Sequence, residues 1–164
     1  MKAEVYWVTE APVRLAVLPR PRGGDYLVDE IASLHDQGLD VLVSLLTEDE
    51  CDELDLGGEE QACKEHSVKF ISFPIEDRSV PPDAAAATSL VRDLRDLLVR
   101  HQRVGIHCRA GIGRSAMLAA AVLAGFGFSP DAAFERISDA RGCEVPDTSA
   151  QRTWVERFVR GDEH

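Results

Sequence analysis

The sequence predicts a three-layer α/β domain with a mainly parallel central sheet flanked by helices. Three observations lead there. Short β-type runs alternate with longer helical patterns, several of the runs read as buried strands, and turn residues mark most changes of period. The 164 residues suffice to bury a proper core. Neither a linker nor an internal repeat divides them, so residues 1–164 are expected to form one domain.

Positions 5–8 and 15–18 are short β-type runs, a hairpin or a pair of edge strands. Pro19, Pro21 and Gly23-Gly24 then punctuate the chain. From Asp25, the apolar Leu27, Ile31 and Leu34 recur at helical spacing, and Gly38 suits the stop. Positions 41–46 are a buried-strand candidate. Thr47 with Glu50 three residues on is a capping box, which starts a helix. Gly57-Gly58 breaks it, and a second short helix covers about 59–65. A strand over 68–73 ends at Pro74, and a loop follows to Pro82. Asp83 caps a helix whose Leu90, Leu94, Leu97 and Leu98 form one face. Positions 104–106 form the next strand, and an alanine-rich helix begins near Ser115. Ser129-Pro130 starts a further helix that Gly142 ends, and a last one runs over about 149–159. On that last helix Trp154, Val155 and Phe158 sit at helical spacing and read as core.

Composition narrows the function classes. A net charge of −11 disfavours nonspecific binding to nucleic acid or an anionic membrane. No signal-peptide run opens the chain, and the longest apolar stretch is too short to span a bilayer. The four cysteines, Cys51, Cys63, Cys108 and Cys143, lack metal-type pairing and are too sparse for a disulfide scaffold. A reducing cytoplasm is therefore the expected setting, with no metal and no cofactor. Cys51, Cys63 and Cys143 read as buried fillers.

The chemistry concentrates in residues 103–115, Arg-Val-Gly-Ile-His-Cys-Arg-Ala-Gly-Ile-Gly-Arg-Ser. Strand, glycine-bearing loop and helix N-terminus together make an anion site, because backbone N–H groups converge there and the helix dipole adds positive potential. Cys108 and Arg114 lie in that loop with five residues between them. A cysteine attacks as the thiolate, and its free pKa is about 8.5. Favouring the thiolate by about three units takes roughly 4 kcal/mol, while a helix dipole supplies only about 0.3–2 kcal/mol. The balance falls to the loop amides, Arg114 and the Ser115 hydroxyl. Gly111 and Gly113 let the loop turn inward. The planar fork of Arg114 suits two phosphoryl oxygens. Gly111-Ile112-Gly113-Arg114-Ser115-Ala116 also matches a dinucleotide pattern, but that reading leaves Cys108 and Arg114 without a task. The nucleotide-hydrolase P-loop pattern fails, since no Gly-Lys-Ser/Thr is present.

His-Cys, five residues and Arg-Ser resembles the signature of cysteine-dependent protein phosphatases, and the chain length resembles their compact dual-specificity branch. The resemblance implies the dual-specificity phosphatase-like fold over roughly residues 5–160 and hydrolysis of phosphate monoesters through a phosphocysteine. It implies Cys108 as nucleophile and a phosphate-binding loop, or P-loop, of Arg109, Ala110, Gly111, Ile112, Gly113 and Arg114. His107 would order that loop. Ser115 would stabilise the departing sulfur, beside the plain alternative of a helix cap. The family's general acid lies about 30 residues before the cysteine, and Asp77 precedes Cys108 by 31. Pro74-Ile75-Glu76-Asp77, a few residues and then Pro81 resembles the acid loop of the kinase-associated phosphatase branch. Glu76 is the rival acid, and a plain turn role for Asp77 stays open. Arg141-Gly142, then Pro146, Thr148 and Gln151, resembles the same branch. Thr148 and Gln151 also form a capping box, so Gln151 is either a cap or a group that positions water.

The expected partner is a phosphorylated protein or small phosphorylated substrate, met by a monomer without membrane insertion. Phosphoinositide phosphatases of the superfamily use basic loop residues for extra phosphates. Arg109 fits that use, but Ile112 stands where the strongest of them carry lysine. A catalytically silent phospho-binding module normally lacks the cysteine, arginine or acid, and all three are present. A thiol redox or sulfur-transfer enzyme gives no reason for the Asp77 loop. A protective disulfide to Cys108, from Cys51 first, is a further family possibility.

Overall fold

Side chains alternate across a strand, and the central strands send successive residues into two different cores. Val41, Val43 and Leu45 join one apolar cluster with Leu94, Met117, Phe134 and Val155. Leu42 and Leu46 join another with Ile31, Leu34 and Cys63. The sheet is therefore covered on both faces, as the three-layer expectation requires.

The computed structural model describes residues 2–161. Met1 and residues 162–164, which the one-domain expectation includes, lie outside the described residues. Among the described residues five strands form one sheet in the order β1-β2-β5-β3-β4: β1 (Tyr6–Thr9), β2 (Leu15–Leu18), β3 (Val41–Ser44), β4 (Lys69–Ser72) and β5 (Val104–His107). Only the β1–β2 pair is antiparallel; β2–β5, β5–β3 and β3–β4 are parallel. The N-terminal runs are thus a hairpin with β1 at the sheet edge, while β2 is an inner strand buried at every residue.

The helices are α1 (Leu27–Asp36), α2 (Glu48–Glu53), α3 (Glu59–Glu65), α4 (Ala84–Val99), α5 (Arg114–Ala124), α6 (Pro130–Arg141) and α7 (Ser149–Arg160). Their starts follow the predicted caps: Thr47, Asp83, Ser129 and Thr148 each accept a backbone N–H from three residues on. Gly142 ends α6 in the left-handed conformation. On α4 the buried face is Leu90, Val91, Leu94 and Leu98, with Leu97 only half-buried beside it. Helix α5 is apolar almost all round and buries every residue from Arg114 to Leu123, as a helix enclosed by neighbours does. Val155 of α7 is buried, and Trp154 and Phe158 stack with centroids 5.0 Å apart against the same core.

Two glycines fix the fold around the loop after β5. A Cβ at Gly105 would meet both Leu39 methyls at 2.9 Å, so a larger residue there would push aside Leu39, which follows α1. Gly111 has φ +74°, and a Cβ there would sit 2.6 Å from the Leu18 carbonyl carbon. The loop is thereby pressed onto the end of β2. No helix among the described residues is long and apolar enough to cross a membrane.

Candidate active site

The parallel strands β3, β4 and β5 all end at one edge of the sheet, and the loops leaving them build the site, as is usual for sheets of this type. From β5 comes the loop Cys108–Gly113, from β3 the turn into α2, and from β4 the loop over Pro74–Pro82. A cleft of about 170 Å³ between the β4 and β5 loops is lined by Asp77, Arg78, Cys108, Arg109, Gly113 and Asp147, among others.

Cys108 lies at the cleft floor, 3% exposed. Helix α5 begins at Arg114, and its N-cap Gly113 offers no side chain to the first amides. Those donors are left for an anion, which the aligned peptide dipoles also favour. The Ser115 hydroxyl is fully buried and has no hydrogen-bond partner among the described residues. It is therefore not the helix cap; the cap position belongs to Gly113.

Arg114 is the most demanding residue of the site, 1% exposed and charged. Its Nη1 donates to Glu50 Oε1 at 2.7 Å and to the Ile75 carbonyl at 2.7 Å, and its Nη2 donates to Glu50 Oε2 at 2.9 Å and to Asp77 Oδ1 at 3.2 Å. Burial works against the charge, but the Glu50 hydrogen bond and the pull of Cys108, Glu50 and Asp77 raise the guanidinium above its ordinary value. The two-pronged fork expected to face a phosphoryl group is thus turned toward Glu50. What remains for an anion is Nε, without a partner among the described residues, and Nη2 once Asp77 releases it.

Glu50 was legible only as a capping residue. Its Oε1 accepts from the Thr47 backbone N–H at 3.1 Å while also meeting Arg114. Burial alone would push its carboxyl up; the Arg114 hydrogen bond, the Thr47 N–H and the Arg114 charge together hold it down at about 2. His107 has an equally specific seat. Its Nδ1 donates to the Cys108 carbonyl at 3.1 Å, and its Nε2 meets Glu59 Oε2 at 2.5 Å, both side chains being buried. The imidazole is thus tied at both ends, as a loop-ordering role requires.

Asp77 lines the cleft with its side chain 57% exposed, whereas Glu76 is exposed and does not line it. The loop is anchored on both sides of Asp77. Ile75 N donates to Leu45 O at 3.0 Å, and Gln151 Nε2 donates to Ser79 O at 3.1 Å. Gln151 also completes the predicted capping box with Thr148, and it is fully buried. It is a cap and a latch on the Asp77 loop at once.

Other predicted residues are distributed differently. Arg109 is spent on Glu53 at 3.0 Å and Glu50 at 3.6 Å, so the rim is less positive than its sequence suggests. Ala110 lines the cleft and its carbonyl accepts from Arg141 at 2.8 Å. Gly111 faces β2, and the Ile112 side chain packs against the core on the α5 side. Asp147, which the sequence did not single out, brings a second carboxylate to the cleft over Gly113. Of the presumed filler cysteines, only Cys63 is buried; Cys51 is partly exposed and Cys143 exposed, because it follows the helix-ending Gly142 at the surface. Burial, with Glu59 and Glu60 nearby, pushes the Cys63 thiol up to about 12. All four thiols are free.

A family model described as "Polymorphic toxin system, DSP-PTPase phosphatase" matches residues 18–127, a span that holds Asp77, Cys108 and Arg114. The chain belongs to this phosphatase family. Among curated proteins, human cyclin-dependent kinase inhibitor 3 is 31% identical over 87 residues, 52% of this chain and 41% of that protein. The chain thus matches about two-fifths of that relative's length. A crystal structure of kinase-associated phosphatase, with its catalytic-site cysteine replaced by serine, superposes with a TM-score of 0.87 at 19% identity, covering 98% of this chain and 96% of that one. Tk-PTP in its active form gives a TM-score of 0.77 at 22% identity, covering 98% and 99%. The resemblance read from residues 107–115 and the α/β fold class are both borne out.

Proposed function

We propose that the protein is a one-domain hydrolase of phosphate monoesters, phosphotyrosine and phosphoserine or phosphothreonine in proteins, that works through a phosphocysteine on Cys108. One observation carries this reading: a buried thiol, a buried guanidinium and an aspartate from a separate loop converge on one cleft, with Arg114 Nη2 3.2 Å from Asp77 Oδ1.

The phosphoryl group enters over the amides of residues 109–114 and takes Nε and Nη2 of Arg114, which draws Asp77 away from that guanidinium. Cys108 Sγ attacks phosphorus as the ester oxygen leaves, and protonated Asp77 gives that oxygen its proton. Nε and Nη2 of Arg114 and the loop amides hold the charge spread over the equatorial oxygens. Asp77, now a carboxylate, takes a proton from water as the water attacks phosphorus. The sulfur departs as thiolate, met by the Ser115 hydroxyl, whose lack of any other partner among the described residues supports that task. Inorganic phosphate is released. A cytoplasmic monomer is the setting in which this reading is placed.

The test is hydrolysis of p-nitrophenyl phosphate, phosphotyrosine and phosphothreonine peptides, and a phosphoinositide. Wild type should release phosphate from the peptides, and Cys108→Ser should not. In Asp77→Asn the alkaline fall in rate should flatten for poor leaving groups. Full activity in Cys108→Ser would end the proposal.

A further inference from the structure

Three successive carbonyls of the catalytic loop are tied down by donors that lie off the cleft. The Cys108 carbonyl accepts from His107 Nδ1 at 3.1 Å, the Arg109 carbonyl from Arg20 N at 3.1 Å, and the Ala110 carbonyl from Arg141 Nη2 at 2.8 Å. Cys108, Arg109 and Ala110 line the cleft, whereas His107, Arg20 and Arg141 do not. A planar trans peptide points its N–H opposite to its C=O. Each tie therefore turns one N–H, that of Arg109, Ala110 or Gly111, away from the donor and toward the cleft.

Two of these ties are made by groups the sheet already fixes: the imidazole at the end of β5, and the backbone just after β2. The third comes from a separate helix. Arg141 is the last residue of α6, 31 positions beyond Ala110. An arginine at a helix C-terminus needs no loop to be favourable, because the dipole there already attracts a cation. This one is nonetheless laid back on the edge strand β1, its guanidinium carbon 4.3 Å from the centre of the Tyr6 ring, within cation–π range. In that seat its Nε is buried without a hydrogen-bond partner among the described residues. A stranded donor is unfavourable, and such a cost points to a task for the side chain. The peptide that Arg141 holds is also one that needs holding. Ala110 is exposed, and turning over the Ala110–Gly111 peptide changes φ of a glycine, which tolerates both signs.

We propose that Arg141 is a positioning residue: by holding the Ala110 carbonyl outward, it keeps the Gly111 N–H aimed into the anion cradle before substrate arrives. Tyr6 is the rest on which that arm lies. The inference rests on the phosphatase reading and adds to it a residue of α6 that prepares the loop. With the N–H already aimed, charge developing on the phosphoryl oxygens meets a donor that does not have to reorganise.

The test reads the Gly111 amide itself. Nitrogen–proton correlation spectra of Cys108→Ser are followed while inorganic phosphate is added. With Arg141 in place the Gly111 proton should move downfield as phosphate binds. With Arg141→Ala added it should move far less, and phosphate should bind about tenfold more weakly, the size of one charge-assisted hydrogen bond. In protein with Cys108 intact, Arg141→Ala should lower kcat/KM for p-nitrophenyl phosphate by a similar factor. Tyr6→Leu, which changes no charge, should lower it in the same sense, and the double variant should lose no more than Arg141→Ala alone. Arg136→Ala removes a cation of the same helix that stacks on Phe128 instead, and it should leave kcat/KM unchanged. No phosphate response at Gly111 with Arg141 in place, an undiminished response in Arg141→Ala, additive losses in the double variant, or an equal loss in Arg136→Ala would each overturn the proposal. Should Arg141→Ala fail to fold, Tyr6→Leu decides through the same signal, where an undiminished Gly111 response is again the contrary result. If wild type does not hydrolyse the ester, the phosphatase reading falls, while the Gly111 response to phosphate still decides the role of Arg141.

Discussion

Replacing Glu50 by glutamine keeps the size of the side chain and an acceptor oxygen but removes the charge that faces Arg114. In the folded protein the Glu50 carboxyl is held at about 2 against an ordinary value near 4.5. A group depressed on folding stabilises the fold above its unfolded value and loses that contribution as pH falls through its folded one. The difference is on the order of 3 kcal/mol at neutral pH, and linkage leaves about 1.4 kcal/mol of it at pH 3. The figure agrees with the cost of stranding one member of a buried ion pair, about 3–5 kcal/mol. The backbone acceptor at Ile75 and the Asp77 carboxylate keep the loss at the lower end. Urea unfolding of wild type and Glu50→Gln from pH 7 to pH 3 measures this directly. The stability gap should be about 3 kcal/mol at pH 7 and shrink below half of that at pH 3. A gap under about 1 kcal/mol at pH 7, or one that does not change with pH, would show that Glu50 is merely a helix cap worth its usual amount.

Three further outcomes follow from the same contacts. Glu59→Ala leaves His107 Nε2 unpartnered in a dry site and should cost about 1–3 kcal/mol, whereas Glu59→Gln should recover most of it, because its amide can donate to a neutral ring; equal damage from both, read by urea unfolding, would argue against the pairing. Gln151→Ala removes the α7 cap bond and the latch on Ser79, and should lose about 2 kcal/mol together with part of kcat for peptides; unchanged kcat would mean the latch does not matter to the Asp77 loop. Brief alkylation of native protein near neutral pH, mapped by mass spectrometry, should label the exposed Cys143 and spare Cys63, whose thiol is pushed up to about 12.

The sequence carried whatever depends on near neighbours. Thr47 with Glu50, Thr148 with Gln151 and Ser129 with Pro130 announce helix starts from residues one to three apart, and those starts stand where expected. The nucleophile loop and its guanidinium were equally legible, because Cys108, Gly111, Gly113 and Arg114 are close in the chain. Partners across the fold were not. A capping box says nothing of the arginine 64 positions away that shares its carboxylate, nor of the glutamate 48 positions from His107. Gln151 could be read as a cap from Thr148, while its bond to Ser79 depends on how α7 packs. The Arg114 fork was expected to face substrate; its orientation toward Glu50 follows from long-range packing. Asp147 left no signal, since a lone aspartate after Pro146 looks like any turn.

The central claim is the covalent step at Cys108, and Asp77→Asn offers the most direct view of it. With p-nitrophenyl phosphate the leaving group needs no proton, so attack by Cys108 proceeds; hydrolysis of the intermediate, which needs the Asp77 carboxylate to take a proton from water, is slowed. Stopping that reaction in detergent during turnover and mapping the protein by mass spectrometry should find the phosphoryl group on the peptide containing Cys108. Turnover with no adduct, or an adduct on a different residue, would contradict the account.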